Sequence, residues 1–292
     1  MKDIAFLQNR LESYNCTDVE EEMNAIREML QELILAALSR TDFFTKAAFH
    51  GGTQLRIFER VRRFSEDLDF SLVSGDVGFE LLPYLERVAL ELDAFGVAME
   101  VVDKSRATQA VKKGFLKNDS IVKLLKFRYA IGNNRTRKLS IKVEVDANPP
   151  AGATYGVAQL LFPFPASVRN FDRGSAFAGK MHALLCREYV KGRDWFDFIW
   201  YVTSRVQLNH EFLSNALEQL GPWAGKSVMT DNAWVKRKLI DVVSRIDWLE
   251  ARRDVRPFVY ATDRPSLDLW SKEFFIGLIE KAFSDDGACG GR

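Results

Sequence analysis

The sequence has too few cysteines for the disulfide framework of a small secreted protein. It also lacks the long apolar runs that cross membranes. It has three cysteines in 292 residues, Cys16, Cys186 and Cys289, and their spacing matches no metal or redox motif. An odd number of cysteines gives no disulfide framework, which favours a reducing compartment. Charges interrupt the first residues before a signal-peptide core forms, and no apolar run approaches membrane-spanning length. We therefore expect a cytoplasmic protein with no membrane association.

The sequence also lacks an overall charge of either sign. Its 41 basic and 40 acidic side chains nearly cancel, so the net charge says nothing about a polyanionic partner. Basic residues are concentrated only between positions 104 and 138, where Asp119 is the single acid. They are Lys104, Arg106, Lys112, Lys113, Lys117, Lys123, Lys126, Arg128, Arg135, Arg137 and Lys138. With Phe115, Phe127 and Tyr129 interleaved, this segment predicts an RNA-binding surface, and a solvated face of strands and loops is the alternative.

Hydrophobic periodicity divides the chain into a mixed first half and a helical second half. Residues 17–40 predict an amphipathic helix that Thr17 and Glu20 begin as a capping box, and residues 79–96 predict another. Strands are predicted at residues 97–102, 120–131 and 138–147.

A proline-rich stretch separates the two halves. Four of the eight prolines lie between residues 149 and 165, which predicts a connection over the surface. Beyond it the pattern is helical, and all six tryptophans lie at or after Trp195, which predicts aromatic-rich packing. We predict an α+β fold. Residues 1–160 would form a small mixed sheet with flanking helices, and residues 161–292 a mainly helical domain.

The stretch FSEDLDFSL, residues 64–72, carries two acids on one side of a predicted strand. Alternation places Asp67 and Asp69 on the same face, roughly 6 to 7 Å apart, and Leu68 and Phe70 on the other. Two carboxylates so placed repel each other unless a cation lies between them. Mg²⁺ suits this pair, because it takes oxygen ligands and keeps positions open for water and substrate phosphates. An exposed acidic strand edge is the alternative.

A second predicted strand carries further acids. In LSIKVEVD, residues 139–146, the apolar residues share one face, and Glu144 and Asp146 share the other. If this strand lies beside the first, either acid can complete a cluster of three carboxylates. Such a cluster can bind two metal ions that activate an attacking oxygen and stabilise a leaving pyrophosphate. An amphipathic edge strand explains the same pattern.

A glycine pair precedes the acidic strand. Gly51 and Gly52 stand before TQLRIFERV, a predicted helix that Thr53 would cap, so that backbone N–H groups are free to hold a triphosphate. A tight turn that needs only the permissive torsions of glycine is the alternative.

Three stretches together resemble a known family. GGTQLR…RFSEDLDFSL, IKVEVD and GKMHALLCREYVKGRDWFDFIW, in this order from about residue 48 to residue 201, resemble the AbiEii/AbiGii-type nucleotidyltransferase toxins. This family belongs to the DNA polymerase β-like nucleotidyltransferase superfamily. The resemblance implies a polymerase β-like nucleotidyltransferase core followed by the helical domain.

The resemblance also implies roles for residues of the first half. Those implied to bind the nucleotide are Gly51, Gly52, Thr53 and Ser65. Those implied to bind Mg²⁺ and to be catalytic are Asp67, Asp69 and Glu144. Glu144 takes the position of the third carboxylate, and Asp146 on the same face remains open for it.

In the second half, the resemblance implies that Lys180 contacts the nucleotide and that Asp194 belongs to the catalytic set. Without the family match, Lys180 would be a solvated helix lysine and Asp194 a helix-capping residue. Arg193 is implied to bind the nucleotide. Asp197 is implied to hold the residues of the site in position without contacting the substrate.

These residues predict a Mg²⁺-dependent transfer of a nucleoside monophosphate from an NTP to an acceptor hydroxyl. The resemblance implies that the acceptor is the 3′ end of tRNA, and that the protein is a toxin that blocks translation, arrests growth and is opposed by a cognate antitoxin. Two alternatives stay open. The nucleotide could be transferred to a protein or a small molecule, or the chain could be an RNA-binding or assembly protein with a vestigial site.

Overall fold

The computed structural model describes residues 5–106, 109–118, 121, 125–129 and 139–284. The chain forms two compact units. The first comprises the residues up to Pro149, with Gly156–Asn170 and Phe258–Ala261. The second comprises Pro150–Tyr155, Phe171–Pro257 and the residues from Thr262 onward.

A mixed sheet with helices forms the first unit. The helices are α1 (Ala5–Ser13), α2 (Val19–Leu38), α3 (Phe43–Lys46), α4 (Gly51–Phe58) and α5 (Leu82–Ala94). The strands are β1 (Ala47–His50), β2 (Leu68–Leu72), β3 (Glu100–Asp103), β4 (Val111–Asn118), β5 (Leu139–Asp146), β6 (Tyr155–Leu160) and β7 (Ala166–Phe171). Their order in the seven-stranded sheet is β3-β4-β5-β2-β1-β7-β6. The pairs β2–β5 and β1–β7 are parallel, whereas β1–β2, β3–β4 and β4–β5 are antiparallel.

One face of the sheet is buried against helices, which leaves the other face for polar side chains. Helix α2 is buried along nearly its whole length and packs on β5 and α5. The buried residues of β5 are Leu139, Ile141, Val143 and Val145. Their neighbours alternate onto the opposite face, where Glu144 is half-buried. The alternation predicted for this strand is confirmed, and so is the α+β class.

Two helix starts differ from the prediction. Helix α2 begins after Asp18, whose Oδ1 accepts from Glu21 N at 2.8 Å, so its capping residue lies one position beyond Thr17. Helix α4 begins at Gly51 after His50, and the prediction that Thr53 caps it is wrong.

The sheet contains strands that the sequence pattern missed. Strand β4 was not predicted, because its buried face consists of Lys112, Gly114, Leu116 and Asn118 and shows no apolar alternation. Conversely, the described part of the predicted strand 120–131, residues 121 and 125–129, is not in a strand. The proline-rich connection contains β6 and leads into β7. The predicted boundary between residues 160 and 161 therefore falls in the loop between these two strands.

A buried polar network holds the segment Phe258–Ala261 to the first unit. Arg56 Nε donates to Glu28 Oε2 at 2.6 Å, and its Nη2 donates to the Tyr260 hydroxyl at 2.7 Å. Phe64 N donates to Phe258 O at 2.8 Å, beside this network. Arg56 also lies over the ring of Phe64, 4.5 Å from its centroid, so the guanidinium joins three separate parts of the chain.

Helices make up most of the second unit. They are α6 (Arg173–Cys186), α7 (Gly192–Thr203), α8 (His210–Gln219), α9 (Asn232–Val243), α10 (Trp248–Val255) and α11 (Lys272–Ala282). Aromatic rings fill the core between α7, α10 and α11, where Trp248 stacks on Phe275 with centroids 4.2 Å apart and Trp195 meets both rings edge-on. None of the helices in the described ranges is long and apolar enough to cross a bilayer.

Replacing Arg56 by methionine tests the buried network. Arg56→Met leaves the carboxylate of Glu28, which is 7% exposed, without its cation. We expect a loss of about 3–5 kcal/mol in the free energy of unfolding, measured by urea denaturation. The control is Arg87→Met, because Arg87 pairs with Glu91 on the surface with 58% of its side chain exposed. This control should change stability by less than about 1 kcal/mol, and equal effects of the two changes would contradict the role assigned to Arg56.

Candidate functional site

Strand register brings the predicted acids together on the exposed face of the sheet. Asp69 of β2 lies opposite Glu144 of β5 on one side and opposite His50 of β1 on the other. Neighbouring strands lie about 4.8 Å apart, so Asp69 and Glu144 are adjacent. Asp146 lies opposite Ser71 instead, one step further along the sheet. The register therefore makes Glu144, rather than Asp146, the neighbour of Asp69.

Two lysines neutralise this carboxylate cluster. Lys142 Nζ lies 2.7 Å from Glu144 Oε2 and 3.2 Å from Asp67 Oδ2, so one ammonium group lies between two acids. Lys113 Nζ from β4 lies 2.9 Å from Glu144 Oε1. Burial would raise the pKa of Glu144, but its hydrogen bonds to the two lysines outweigh burial and lower that pKa. The Glu144 carboxylate is therefore held ionised, with both oxygens occupied.

The side chains present suit a divalent cation held by the aspartates. Among the described residues, no three His, Cys, Asp or Glu side chains lie close enough to hold one metal ion together. Mg²⁺ does not need three protein ligands, because it is commonly bound through one or two carboxylates together with water and substrate phosphates. Asp67 and Asp69 supply two carboxylates, and the Lys142 ammonium lies on Asp67, where a cation would be attracted. Coordination by Glu144 stays a prediction.

The glycine pair packs the start of α4 against the acids. Gly51 has a φ of +83°, and a Cβ at this position would lie 2.6 Å from Asp69 Oδ2. A Cβ on Gly52 would lie 2.7 Å from Arg63 Nη2 and 2.9 Å from Ser65 Oγ. Only glycine fits either position without displacing these neighbours. The first N–H groups of a helix have no intrahelical partner, so α4 offers an anion-binding end directly beside Asp69.

Thr53 and Ser65 are buried beneath this turn. Thr53 Oγ1 donates to the backbone oxygen of Asp67 at 2.5 Å, which ties α4 to the loop that carries the first aspartate. The Thr53 side chain is 0% exposed and Ser65 is 8% exposed. The hydroxyl of Thr53 thus fixes the position of Asp67, and its predicted contact with nucleotide stays a prediction.

A second cluster of predicted residues lies within the helical unit. Lys180 of α6 places Nζ 2.7 Å from Asp194 Oδ1 and 2.8 Å from Asp197 Oδ2. The two aspartates lie three residues apart in the first turns of α7, and both are buried. Arg187 adds a second cation, with Nη2 3.5 Å from Asp194 Oδ2. Lys180 is therefore a paired lysine with only 10% of its side chain exposed, and not a solvated one.

Cations dominate the electrostatics around Asp194. Burial would raise its pKa, but Lys180, Arg187 and Lys191 outweigh burial and lower the pKa to about 2. Burial lowers the pKa of Lys191, and the neighbouring cations lower it further. Asp194 also lines a cavity of about 290 Å³ in this unit, together with Arg187, Lys191, Tyr189 and Arg245. The charged residues that line the cavity are three cations, Arg187, Lys191 and Arg245, and two acids, Glu188 and Asp194.

Sequence patterns did not identify every member of the two clusters. Lys113 was missed because β4 was not predicted, and Arg187 because it follows the last turn of α6. Alternation along β5 puts Lys142 on the same face as Glu144, but its contact with Asp67 depends on the pairing of β5 with β2. Arg193 lies in the first turn of α7 and is half-buried, and its contact with nucleotide stays a prediction.

Removing the ammonium of Lys142 should strengthen metal binding. In Lys142→Met, we expect the Mn²⁺ concentration that gives half-maximal thermal stabilisation, without NTP, to fall about fivefold, because a competing ion pair worth up to about 1 kcal/mol is gone. Lys113→Met is the matched control, since Lys113 contacts Glu144 and not Asp67. An unchanged midpoint in Lys142→Met would show that Lys142 does not compete with the metal.

The lowered pKa of Asp194 predicts how stability depends on pH. A depressed pKa contributes stability above the pKa of an unfolded aspartate, about 3.9, and that stability is lost as the pH falls towards the folded value. We expect Asp194→Asn to lower the free energy of unfolding by about 2–3 kcal/mol at pH 7. At pH 3 this difference from the wild type should be smaller by about 1 kcal/mol. Urea unfolding at both pH values measures this. Asp268→Asn, at an exposed aspartate of the same unit, should show neither effect.

Comparison with known proteins identifies a family. The family model described as nucleotidyl transferase AbiEii toxin, type IV TA system, matches residues 33–271. No curated protein sequence matches the chain.

Solved structures share the fold at low sequence identity. The nucleotidyltransferase toxin MenT4 from Mycobacterium tuberculosis H37Rv is 16% identical, with a TM-score of 0.51 over 94% of this chain and 99% of that chain. JHP933 from Helicobacter pylori is also 16% identical, with a TM-score of 0.50 over 90% of each chain. The family match covers most of the sequence, including both clusters of acids and cations. The chain belongs to the AbiEii family of nucleotidyltransferase toxins, and it is a nucleotidyltransferase of a toxin–antitoxin system.

Proposed function

We propose that this nucleotidyltransferase transfers a nucleoside monophosphate from an NTP to the 3′-terminal hydroxyl of a tRNA, and that the reaction depends on Mg²⁺. The acceptor hydroxyl loses its proton to water as its oxygen forms a bond to the α-phosphorus, the bond from that phosphorus to the bridging oxygen breaks, and pyrophosphate leaves. The proposal rests on the close approach of the N-terminus of α4 to Asp69, where Gly51 has a φ of +83° and a Cβ would lie 2.6 Å from Asp69 Oδ2. This approach supports a site where phosphate and cation binding groups are adjacent.

Five residues of the first unit have a chemical role in this proposal. The α4 N–H groups after Gly51 and Gly52 hold phosphate oxygens, because the end of a helix attracts anions. Asp67 and Asp69 would hold Mg²⁺, and the bound ion would supply activation of the attacking oxygen and stabilisation of the leaving pyrophosphate. Glu144 positions the acceptor hydroxyl. Both oxygens of its carboxylate are paired with lysines, so positioning suits it better than proton abstraction.

The second unit contributes a paired cation to nucleotide binding in this proposal. The Lys180 ammonium lies between Asp194 and Asp197 and is 10% exposed, so its position is fixed from both sides. A lysine so held acts as a point charge for a phosphate, and Asp194 sets its orientation. Arg193 provides a further donor for phosphate oxygens.

The proposed partners follow from the same chemistry. The NTP is the substrate, the tRNA is the acceptor, and a cognate antitoxin opposes the toxin, as its family implies. Blocking the 3′ end of tRNA would stop aminoacylation and arrest growth. We place the reaction in the cytoplasm, where NTP and tRNA are present together.

Labelled NTPs test the acceptor. The protein is incubated with Mg²⁺ and each labelled NTP, first with purified tRNA and then with a protein extract, and the mass of the RNA product is measured. We expect label on tRNA, a mass increase of one nucleotide, and loss of transfer when EDTA removes the metal. Label on protein alone would replace the tRNA acceptor by a protein one. If no acceptor is labelled and expression of the protein in cells still arrests growth, the result would favour a binding protein with a vestigial site.

Isosteric substitutions test the acids. Asp69→Asn should lower transfer at least about 100-fold, because it removes a metal ligand while keeping the shape of the strand. Asp103→Asn, at an exposed position of β3, is the control. Glu144→Gln and Asp146→Asn form a second pair, and register predicts a large loss for the first and a small one for the second. A larger loss in Asp146→Asn would make Asp146 the third carboxylate.

A further inference from the structure

The exposed face of the sheet continues from the carboxylates onto strand β4. Glu144 lies opposite Lys113, Lys142 lies opposite Phe115, and Ser140 lies opposite Lys117. Because side chains in register share a face, these residues of β4 lie on the same side of the sheet as Asp69. Phe115 is two strands away from β2, which corresponds to about 10 Å across the sheet.

This part of β4 combines an aromatic ring with cations. Lys113 has 47% of its side chain exposed, and Phe115 and Lys117 are half-buried. The exposed Lys104 places Nζ 5.1 Å from the centroid of the Phe115 ring. Lys104 therefore lies over one side of the ring, and Lys117 follows two residues later on the same face of β4. We call Lys104, Phe115 and Lys117 the β4 platform.

The strand that carries Phe115 is tightly packed on its opposite face. On the opposite face of the strand, Gly114 lies so close to α5 that a Cβ would be 2.2 Å from Leu85 Cδ1, and Leu116 is fully buried. The ring of Phe115 is thus carried by a strand packed from behind. A rigid aromatic beside cations suits stacking of a nucleobase, which every base offers, combined with attraction of the adjoining phosphates.

Four described residues of the basic segment make contacts elsewhere, namely Lys112, Phe127, Arg128 and Tyr129. Lys112 is 3% exposed on the opposite side of β4. Phe127 packs against the core cluster, and the backbone N–H groups of Arg128 and Tyr129 donate to the carboxylate of Glu22. The basic residues of the segment that lie outside the described residues are Lys123, Arg135, Arg137 and Lys138. Among the aromatics predicted for RNA contact, Phe115 is the one that register places beside the acids.

We propose that the β4 platform binds the acceptor RNA just before its 3′ end, with a base stacked on Phe115 and the neighbouring phosphates on Lys104 and Lys117. This inference rests on the proposed transfer to RNA. A single-stranded end fits the platform better than a duplex, because stacking on a protein ring needs an unpaired base. The terminal hydroxyl then lies towards Glu144 and Asp69.

Three substitutions test the platform. They are Phe115→Leu, Lys104→Gln and Lys117→Gln, and Lys113 is left unchanged because it contacts Glu144. We expect Phe115→Leu to raise the KM for tRNA about tenfold or more, and each lysine variant to raise it by up to about tenfold. The KM for NTP should stay within about twofold in all three variants. Each lysine variant should also reduce the slope of log Kd against log salt concentration by about 0.7. Controls are Lys226→Gln and Phe274→Leu, which lie in the second unit.

Binding without catalysis separates this inference from the proposed function. Fluorescence anisotropy with a labelled single-stranded RNA, in EDTA and without NTP, measures Kd for the same variants, and thermal melting checks their folding. Weaker binding in the three variants and not in the controls supports the platform, even if the transferred label is found on protein. Wild-type transfer to tRNA with unchanged RNA affinity in all three variants overturns the platform and leaves the proposed function intact.

Discussion

The parallel pairing of β2 with β5 is the constraint on which the site depends. It places Asp69 opposite Glu144 and Leu68 opposite Val143, so that one face of both strands is apolar and the other carries acids. A shift by one residue would turn these acids into the core and the valines into solvent. The buried face therefore specifies the geometry of the exposed one. Burial of Val143 and Val145 against the helices stabilises the register that the carboxylates use.

Charge balance is the second constraint, and the two units meet it in the same way. In the sheet, Lys142 and Lys113 neutralise Glu144, and Lys142 also reaches Asp67. In the helical unit, Lys180 lies between Asp194 and Asp197. A buried or half-buried carboxylate without a cation is costly, so each cluster includes its own counter-ion. In the sheet, a divalent cation would have to compete with that counter-ion, which links metal affinity to a lysine that is not itself a ligand.

Sequence patterns were most successful where periodicity and burial agree. The alternation of β5 is confirmed because its apolar residues do form the buried face. Strand β4 escaped prediction because a lysine, a glycine and an asparagine occupy its buried positions, and the glycine is required by the approach of Leu85. The cap of α4 was misassigned because the hydroxyl of Thr53 has a tertiary partner, the backbone of Asp67. No local pattern contains that partner.

The sequence by itself determined the family, and it predicts which residue types carry the chemistry. The glycine pair, the Asp-x-Asp strand and the lysine of α6 are local motifs, and their order along the chain is enough for the resemblance, which the family match confirms. Only the tertiary structure decided between Glu144 and Asp146 as the neighbour of Asp69, and only it brought Lys142, Lys113 and Phe115 to the same face. The reason is that strand register is set by packing between segments far apart in the chain, and alternation within one strand cannot show which residue of another strand lies opposite.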